Sequence, residues 1–112
     1  MAHTKFHLGY FTKFGPTSWP GTEKEFGSEW ANGSYFIELA KMLEGAKFDF
    51  ILFEDTLSVG DRYGGSMELD LKHGTLAPKN DPIPLLPLMA QGTSHIGLIA
   101  TASTTFYPPY IL

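Results

Sequence analysis

Apolar residues along this chain gather into short blocks separated by polar stretches rich in Gly and Pro. Phe6 to Thr12 alternates loosely and is rich in aromatics, which predicts a first strand ending before the Gly15-Pro16 breaker. From Thr12 to Gly33 no period is sustained, and a loop of that length in a compact domain is usually functional or disordered. Ser34 is then placed to cap a helix, because Phe36, Leu39, Ala40 and Leu43 fall on one stripe at i, i+3, i+4 and i+7. Gly45 is expected to close that helix in a left-handed conformation. Ala46-Lys47 leads into Phe48 to Phe53, a second strand rich in Phe and Ile that stops at Glu54-Asp55.

Leu57 to Asp81 again lacks a period and carries Gly60, Gly64, Gly65, Gly74 and Pro78. Leu85 to Gln91 reads as a second helix, since proline is tolerated in a first turn. Gly92 to Ser94 turns the chain into a third strand at His95, where Ile96 to Ala100 is the kind of apolar run that parallel sheets bury on both faces. Four hydroxyls follow at once: Thr101, Ser103, Thr104 and Thr105.

Both long loops follow strands, at about 13–33 and 56–81, and both short connections follow helices. That asymmetry is the layout of a TIM barrel, whose ligand-binding face is built from its βα loops. A Rossmann or flavodoxin-like sheet alternates in the same way, but the first βα loop holds neither G-x-G-x-x-G nor a P-loop. The fold class expected is therefore α/β: residues 1–112 as the first three strands and two helices of a (β/α)8 barrel, incomplete on its own, since a full barrel takes about 250 residues. Its first and third strands would keep open edges, which implies an obligate partner chain or a truncated product.

Composition narrows the function. Eight Lys and Arg against twelve Asp and Glu give a net charge of -4, so no basic field exists to hold nucleic acid or an anionic membrane. No apolar run reaches the roughly 20 residues of a membrane span, and the amino terminus lacks a signal-peptide layout; a soluble, cytoplasmic protein is expected. There is no cysteine, hence no thiolate chemistry. His3, His7, His73 and His95 are scattered without ligand spacing, so no metal site is expected. Glu54 and Asp55 are neighbours on a strand and point to opposite sides, which rules against a glycosidase-like acid-base pair. His95, at the opposite end of the third strand from the hydroxyls, is expected to make a structural hydrogen bond. Trp19, Trp30 and Phe14 either line an apolar pocket or pack the first loop on itself. Phe106, Tyr107 and Tyr110 either wall a ligand or brace the prolines.

Two blocks carry a resemblance. Glu44-Gly-Ala-Lys-Phe-Asp-Phe-Ile-Leu-Phe-Glu-Asp55 and His95-Ile-Gly-Leu-Ile-Ala-Thr-Ala-Ser-Thr-Thr-Phe-Tyr-Pro-Pro-Tyr110 resemble, in order and spacing, the amino-terminal part of the bacterial luciferase-like flavin monooxygenases. The closer branch is that of nitrilotriacetate monooxygenase, dibenzothiophene sulfone monooxygenase and pristinamycin synthase. The resemblance implies a two-component enzyme in which reduced FMN from a separate flavin reductase, together with O2, oxygenates a small organic substrate. It matches the family's flavin contacts to Asp55 and Thr101; Trp19 and Phe106, from the two aromatic clusters, are the substrate-side candidates. The phosphate site would come from later strands, supplied by a complementary chain carrying the rest of the barrel. The alternative is a non-catalytic fragment or structural subunit that pairs through its open sheet edges.

Overall fold

The computed structural model describes residues 5–16 and 29–112, the side chain of Glu29 excepted. In chain order the elements are β1 (Gly9–Thr12), α1 (Glu29–Asn32), α2 (Ser34–Gly45), β2 (Phe50–Phe53), α3 (Glu68–His73), α4 (Leu85–Gly92) and β3 (Gly97–Ala100). The strands form one parallel sheet in the order β1-β2-β3. Gly9 to Thr12 lie beside Phe50 to Phe53, which lie in turn beside Gly97 to Ala100.

Alternation along β2 sends Ile51 and Phe53 to one face, where both are fully buried against Phe36, Ala40 and Leu43 of α2 and Leu85 and Met89 of α4. The rings of Phe36 and Phe53 meet edge to face at 5.5 Å. Both connecting helices thus cover the same face of a sheet whose strands follow one another in order. That is single winding, the sense a closed barrel requires, whereas a doubly wound sheet reverses its order and is covered on both sides.

On the other face the row Phe11, Leu52, Ile99 crosses the sheet, with Phe11 66% and Ile99 43% exposed. The adjacent row is Gly9, Phe50, Gly97. A Cβ on Gly9 would lie 2.2 Å from the Phe50 ring, and one on Gly97 would lie 3.1 Å from the Phe50 Cβ. One large side chain flanked by two glycines follows the interior rule of barrels, whose layers are filled from alternate strands.

All three strands begin later than their apolar runs, and carboxylates explain why. Asp49 takes the Leu8 N–H on Oδ2 at 2.8 Å and faces His7 Nδ1 at 3.2 Å, holding the chain out of regular pairing until Gly9 and Phe50. Glu44, near the end of α2, accepts the N–H groups of Ser94, His95 and Ile96 on Oε2 at 2.9, 2.6 and 2.9 Å. Pairing of β3 therefore starts with the Gly97 N–H to Asp49 O at 2.7 Å. The structural hydrogen bond found at His95 is thus made by its backbone.

The helix ends also correct the sequence reading. Ser34 is not the cap of α2; Gly33 occupies that place at φ 81°, after the short α1, and Asn32 Oδ1 takes the Ser34 N–H at 2.9 Å. Gly45 stays helical, and the left-handed residue is Lys47 at φ 68°. Phe48 N–H donates to Leu43 O and Lys47 N–H to Glu44 O, both at 3.0 Å, which is the Schellman pattern displaced two residues beyond Gly45. The second long loop contains α3, which Leu69 and Leu71 did not announce because they alternate with charged residues and are exposed.

Glu44 bears on stability. Three backbone N–H groups hold its carboxyl at about 2, below the ordinary 4.5, so its stabilisation is complete above the ordinary value and is lost as pH falls through the folded one. Glu44→Gln is expected to be less stable than the parent at neutral pH, with the gap closing from about pH 4.5 down toward pH 2. Urea unfolding at stepped pH checks this; a gap constant across the window would contradict it.

Candidate functional site

The carboxyl ends of the strands lie side by side, and the ladder carries on one step past them: Glu54 N–H donates to Thr12 O at 2.9 Å and Thr101 N–H to Phe53 O at 3.0 Å. Beyond that step Glu54 and Asp55 part, as alternation requires. Glu54 Oε1 accepts from Lys79 Nζ at 2.9 Å and Oε2 takes the Thr56 N–H at 2.6 Å. Lys79 Nζ also reaches Thr56 O at 2.7 Å. The side chains of Lys79 and Glu54 are only 8% and 16% exposed. Burial pushes the Glu54 carboxyl up, but the hydrogen bonds from Thr56 and Lys79 prevail and hold it below its ordinary value.

Further ties pin the second loop to the end of β1. Lys13 Nζ donates to the carbonyls of Gly74 and Thr75, and Asn80 N–H donates to Phe14 O at 2.9 Å. Burial pushes the Lys13 ammonium below its ordinary value; Glu54 opposes this and Lys79 adds to it. What reads as a patternless loop is a folded wall.

Asp55 turns toward the third strand. Its Oδ2 accepts the Ser103 N–H at 2.9 Å, and its Oδ1 takes no hydrogen bond among the described residues. It lines a cavity of about 340 Å³ together with the apolar Leu57, Val59 and Leu76 and the polar Asp81 and Tyr107. The Tyr107 hydroxyl is pushed up by burial and then by the charges of Asp55 and Asp81. A second hollow of about 400 Å³ opens at the same end beside Phe11, Lys13, Glu54 and Leu76.

The expected site residues separate. Asp55 is on the cavity wall and is joined to the β3 end through Ser103. Thr101 stands exposed at that strand end, with its backbone in the ladder and its side chain off the cavity wall. Phe106 is 58% exposed and off the wall, where its neighbour Tyr107 takes the place. Trp19 lies outside the described residues. Phe14 and Trp30 pack edge to face at 6.3 Å, and Phe14 packs likewise on Phe36 in the core while also lining a separate hollow with Leu85 and Leu88. Tyr110 is fully exposed. Lys79 and Asp81 were not foreseen, whereas Tyr107, one of the aromatics expected either to wall a ligand or to brace the prolines, does line the cavity.

Among the described residues no group of His, Asp and Glu could hold a metal ion, and no helix is long and apolar enough to cross a membrane. The donor set instead suits a flat heterocycle. A free carboxylate oxygen can accept from a ring N–H, an apolar wall can take a ring face, and the volume lies at the lower end of small-molecule sites.

A singly wound parallel sheet with its polar groups and cavity at the carboxyl ends of the strands defines the class: an α/β protein of barrel type, built to bind at its βα loops. Known proteins then supply the family. The chain is 34% identical over a 112-residue alignment to dibenzothiophene-sulfone monooxygenase of Rhodococcus erythropolis strain XP, covering 95% of the chain and 24% of that enzyme. The crystal structure of DmoA from Hyphomicrobium sulfonivorans matches with TM-score 0.84 and 28% identity, over 96% of this chain and 24% of its own. The long-chain alkane monooxygenase LadA matches with TM-score 0.82 and 28% identity, over 96% and 26%. No protein-family model matches the sequence. The homologues of this chain are monooxygenases of the luciferase-like branch, and it spans about a quarter of the length of those it matches.

Proposed function

We propose that this chain forms the first three strands and first two active-site loops of a (β/α)8 barrel. It is the amino-terminal part of a two-component monooxygenase that uses reduced FMN and O2 on a small organic substrate. The observation that carries the reading is Asp55, which lines the cavity at the end of β2 with one carboxylate oxygen bound to the Ser103 N–H and the other free.

Asp55 would accept a hydrogen bond from the flavin ring, and Thr101 would offer its hydroxyl from the neighbouring strand end. The Ser103 N–H fixes the Asp55 carboxylate, so that little ordering is needed when a ring binds. Leu57, Val59 and Leu76 would exclude water from the substrate side. Reduced FMN, when bound, supplies the electrons that activate O2. The remaining barrel strands, on this polypeptide or a partner, would pair the outer edges of β1 and β3, cover the row Phe11, Leu52, Ile99, and provide the phosphate site. A flavin reductase is the second partner, and a cytoplasmic location suits one that delivers a diffusible reduced cofactor.

A non-catalytic scaffold is the second reading, favoured by that same exposed row. Turnover separates the two. The strand-complete protein, given reduced FMN by a separate reductase, is expected to consume O2 in proportion to oxygenated product from a panel of small organic compounds. Product should cease when the reductase is left out. Absence of product across the panel, with FMN failing to bind, favours the scaffold.

A further inference from the structure

We propose that Lys79 is a positioning residue for the Asp55 carboxylate, as the middle member of a hydrogen-bonded brace that runs across the ends of all three strands. The proposal rests on the flavin reading of Asp55 and extends it to a residue of another loop.

The brace is continuous. On the β1 side, Asn80 N–H donates to Phe14 O at 2.9 Å, which fixes the backbone next to Lys79. The Lys79 ammonium then crosses to the end of β2, where it donates to Glu54 Oε1 at 2.9 Å and to Thr56 O at 2.7 Å. Glu54 Oε2 closes a ring by accepting the Thr56 N–H at 2.6 Å. On the β3 side, Asp55 Oδ2 accepts the Ser103 N–H at 2.9 Å.

Asp55 is the residue that this ring encloses. Before it, the Glu54 N–H is held by Thr12 O at 2.9 Å. After it, both backbone groups of Thr56 are held, the N–H by Glu54 and the carbonyl by Lys79. With its two neighbours fixed, Asp55 keeps little backbone freedom, and its side chain leaves the strand in one direction, toward Ser103. Without the ammonium, Thr56 keeps only its N–H bond, and the backbone after Asp55 is free to turn. A carboxylate that must be reordered when a ring binds forfeits affinity, although it touches the same atoms once bound.

Glu54→Gln/Lys79→Met is the informative variant because it leaves no stranded charge in the fold, whereas Lys79→Ala alone loosens the whole loop. Amide exchange and FMN quenching are read on the strand-complete protein. In the double variant the Ser103 N–H should exchange at least about threefold faster, while the Thr101 N–H, bonded to Phe53 O in the ladder, keeps its rate. FMN affinity should fall about three- to tenfold. Lys79 also lines the cavity, and a loss through the wall would add to that of Asp55→Ala. A loss through the carboxylate does not add, so the two substitutions made in Asp55→Ala should cost no further affinity. Ser103 exchange equal to that of the parent, or an FMN loss that adds in full to that of Asp55→Ala, overturns the proposal. If the parent quenches no FMN while Ser103 exchange still rises in the variant, the positioning role stands and the flavin reading alone falls.

Discussion

Lys79→Ala is expected to cost about 2–4 kcal/mol and to free the second loop from the sheet. Lys79 is the hub of that loop: its ammonium joins the Glu54 carboxylate at 2.9 Å and the Thr56 carbonyl at 2.7 Å from a largely buried position. Taking two charges out of water offsets much of their attraction, so the pair adds little net stability over an apolar replacement. Removing one partner is different, because Glu54 then remains ionised, mostly buried and unbalanced. The cost falls somewhat below that of breaking a fully buried pair, since water still reaches part of both side chains.

The same imbalance has two further consequences. In the parent, the Glu54 carboxyl is held below its ordinary value, so the pair's contribution is present above that value and is lost as pH falls through the folded one. In Lys79→Ala, protonation relieves the stranded charge, so the deficit should shrink in acid. The double variant Glu54→Gln/Lys79→Met should recover most of the loss, because the glutamine amide oxygen still accepts the Thr56 N–H and the methionine fills the space of the lysine stem. Urea unfolding measures the global cost, and amide exchange at Thr56 and Asn80 reports loosening of the loop. A double variant as unstable as the single one would refute the account.

The elements that bury one stripe were legible in the sequence. Phe36, Ala40 and Leu43 are buried on α2, and Leu85 and Met89 on α4, because spacing along a helix determines which side chains share a face. The strand starts were not legible. They depend on Asp49 capturing a backbone N–H 41 residues away and Glu44 capturing three at separations of 50 to 52 residues, and no local pattern encodes a contact between distant segments. Lys47 in the left-handed region, with Gly45 two residues earlier left helical, shows tertiary packing overriding the local preference for glycine.

The site divides in the same way. Asp55 was singled out through the family resemblance, at the end of an apolar strand, and it does line the cavity there. Asp81 and Lys79 were hidden because they come to the site through a loop with no period, folded back by backbone hydrogen bonds such as Asn80 N–H to Phe14 O. Phe106 and Tyr107 illustrate the limit of a composition argument: an aromatic run says that a ring is near, and only the turn after β3 decides that it is Tyr107.

Asp55 is where the functional account is most exposed to test. The carboxylate is expected to contribute a charge-assisted hydrogen bond to the flavin ring, and such bonds carry about 1.5–3 kcal/mol, or roughly 10- to 100-fold in affinity. Asp55→Asn separates that role from scaffolding, since an amide oxygen can still accept the Ser103 N–H and keep the loop in place. The most direct measurement is an FMN titration of the strand-complete protein by fluorescence quenching, comparing the parent with Asp55→Asn and Asp55→Ala. The account predicts saturable quenching in the parent, weakened about 10- to 100-fold in Asp55→Ala and by less in Asp55→Asn, with urea stability of the Asn variant unchanged. No quenching by the parent, or equal affinity in all three proteins, would contradict it.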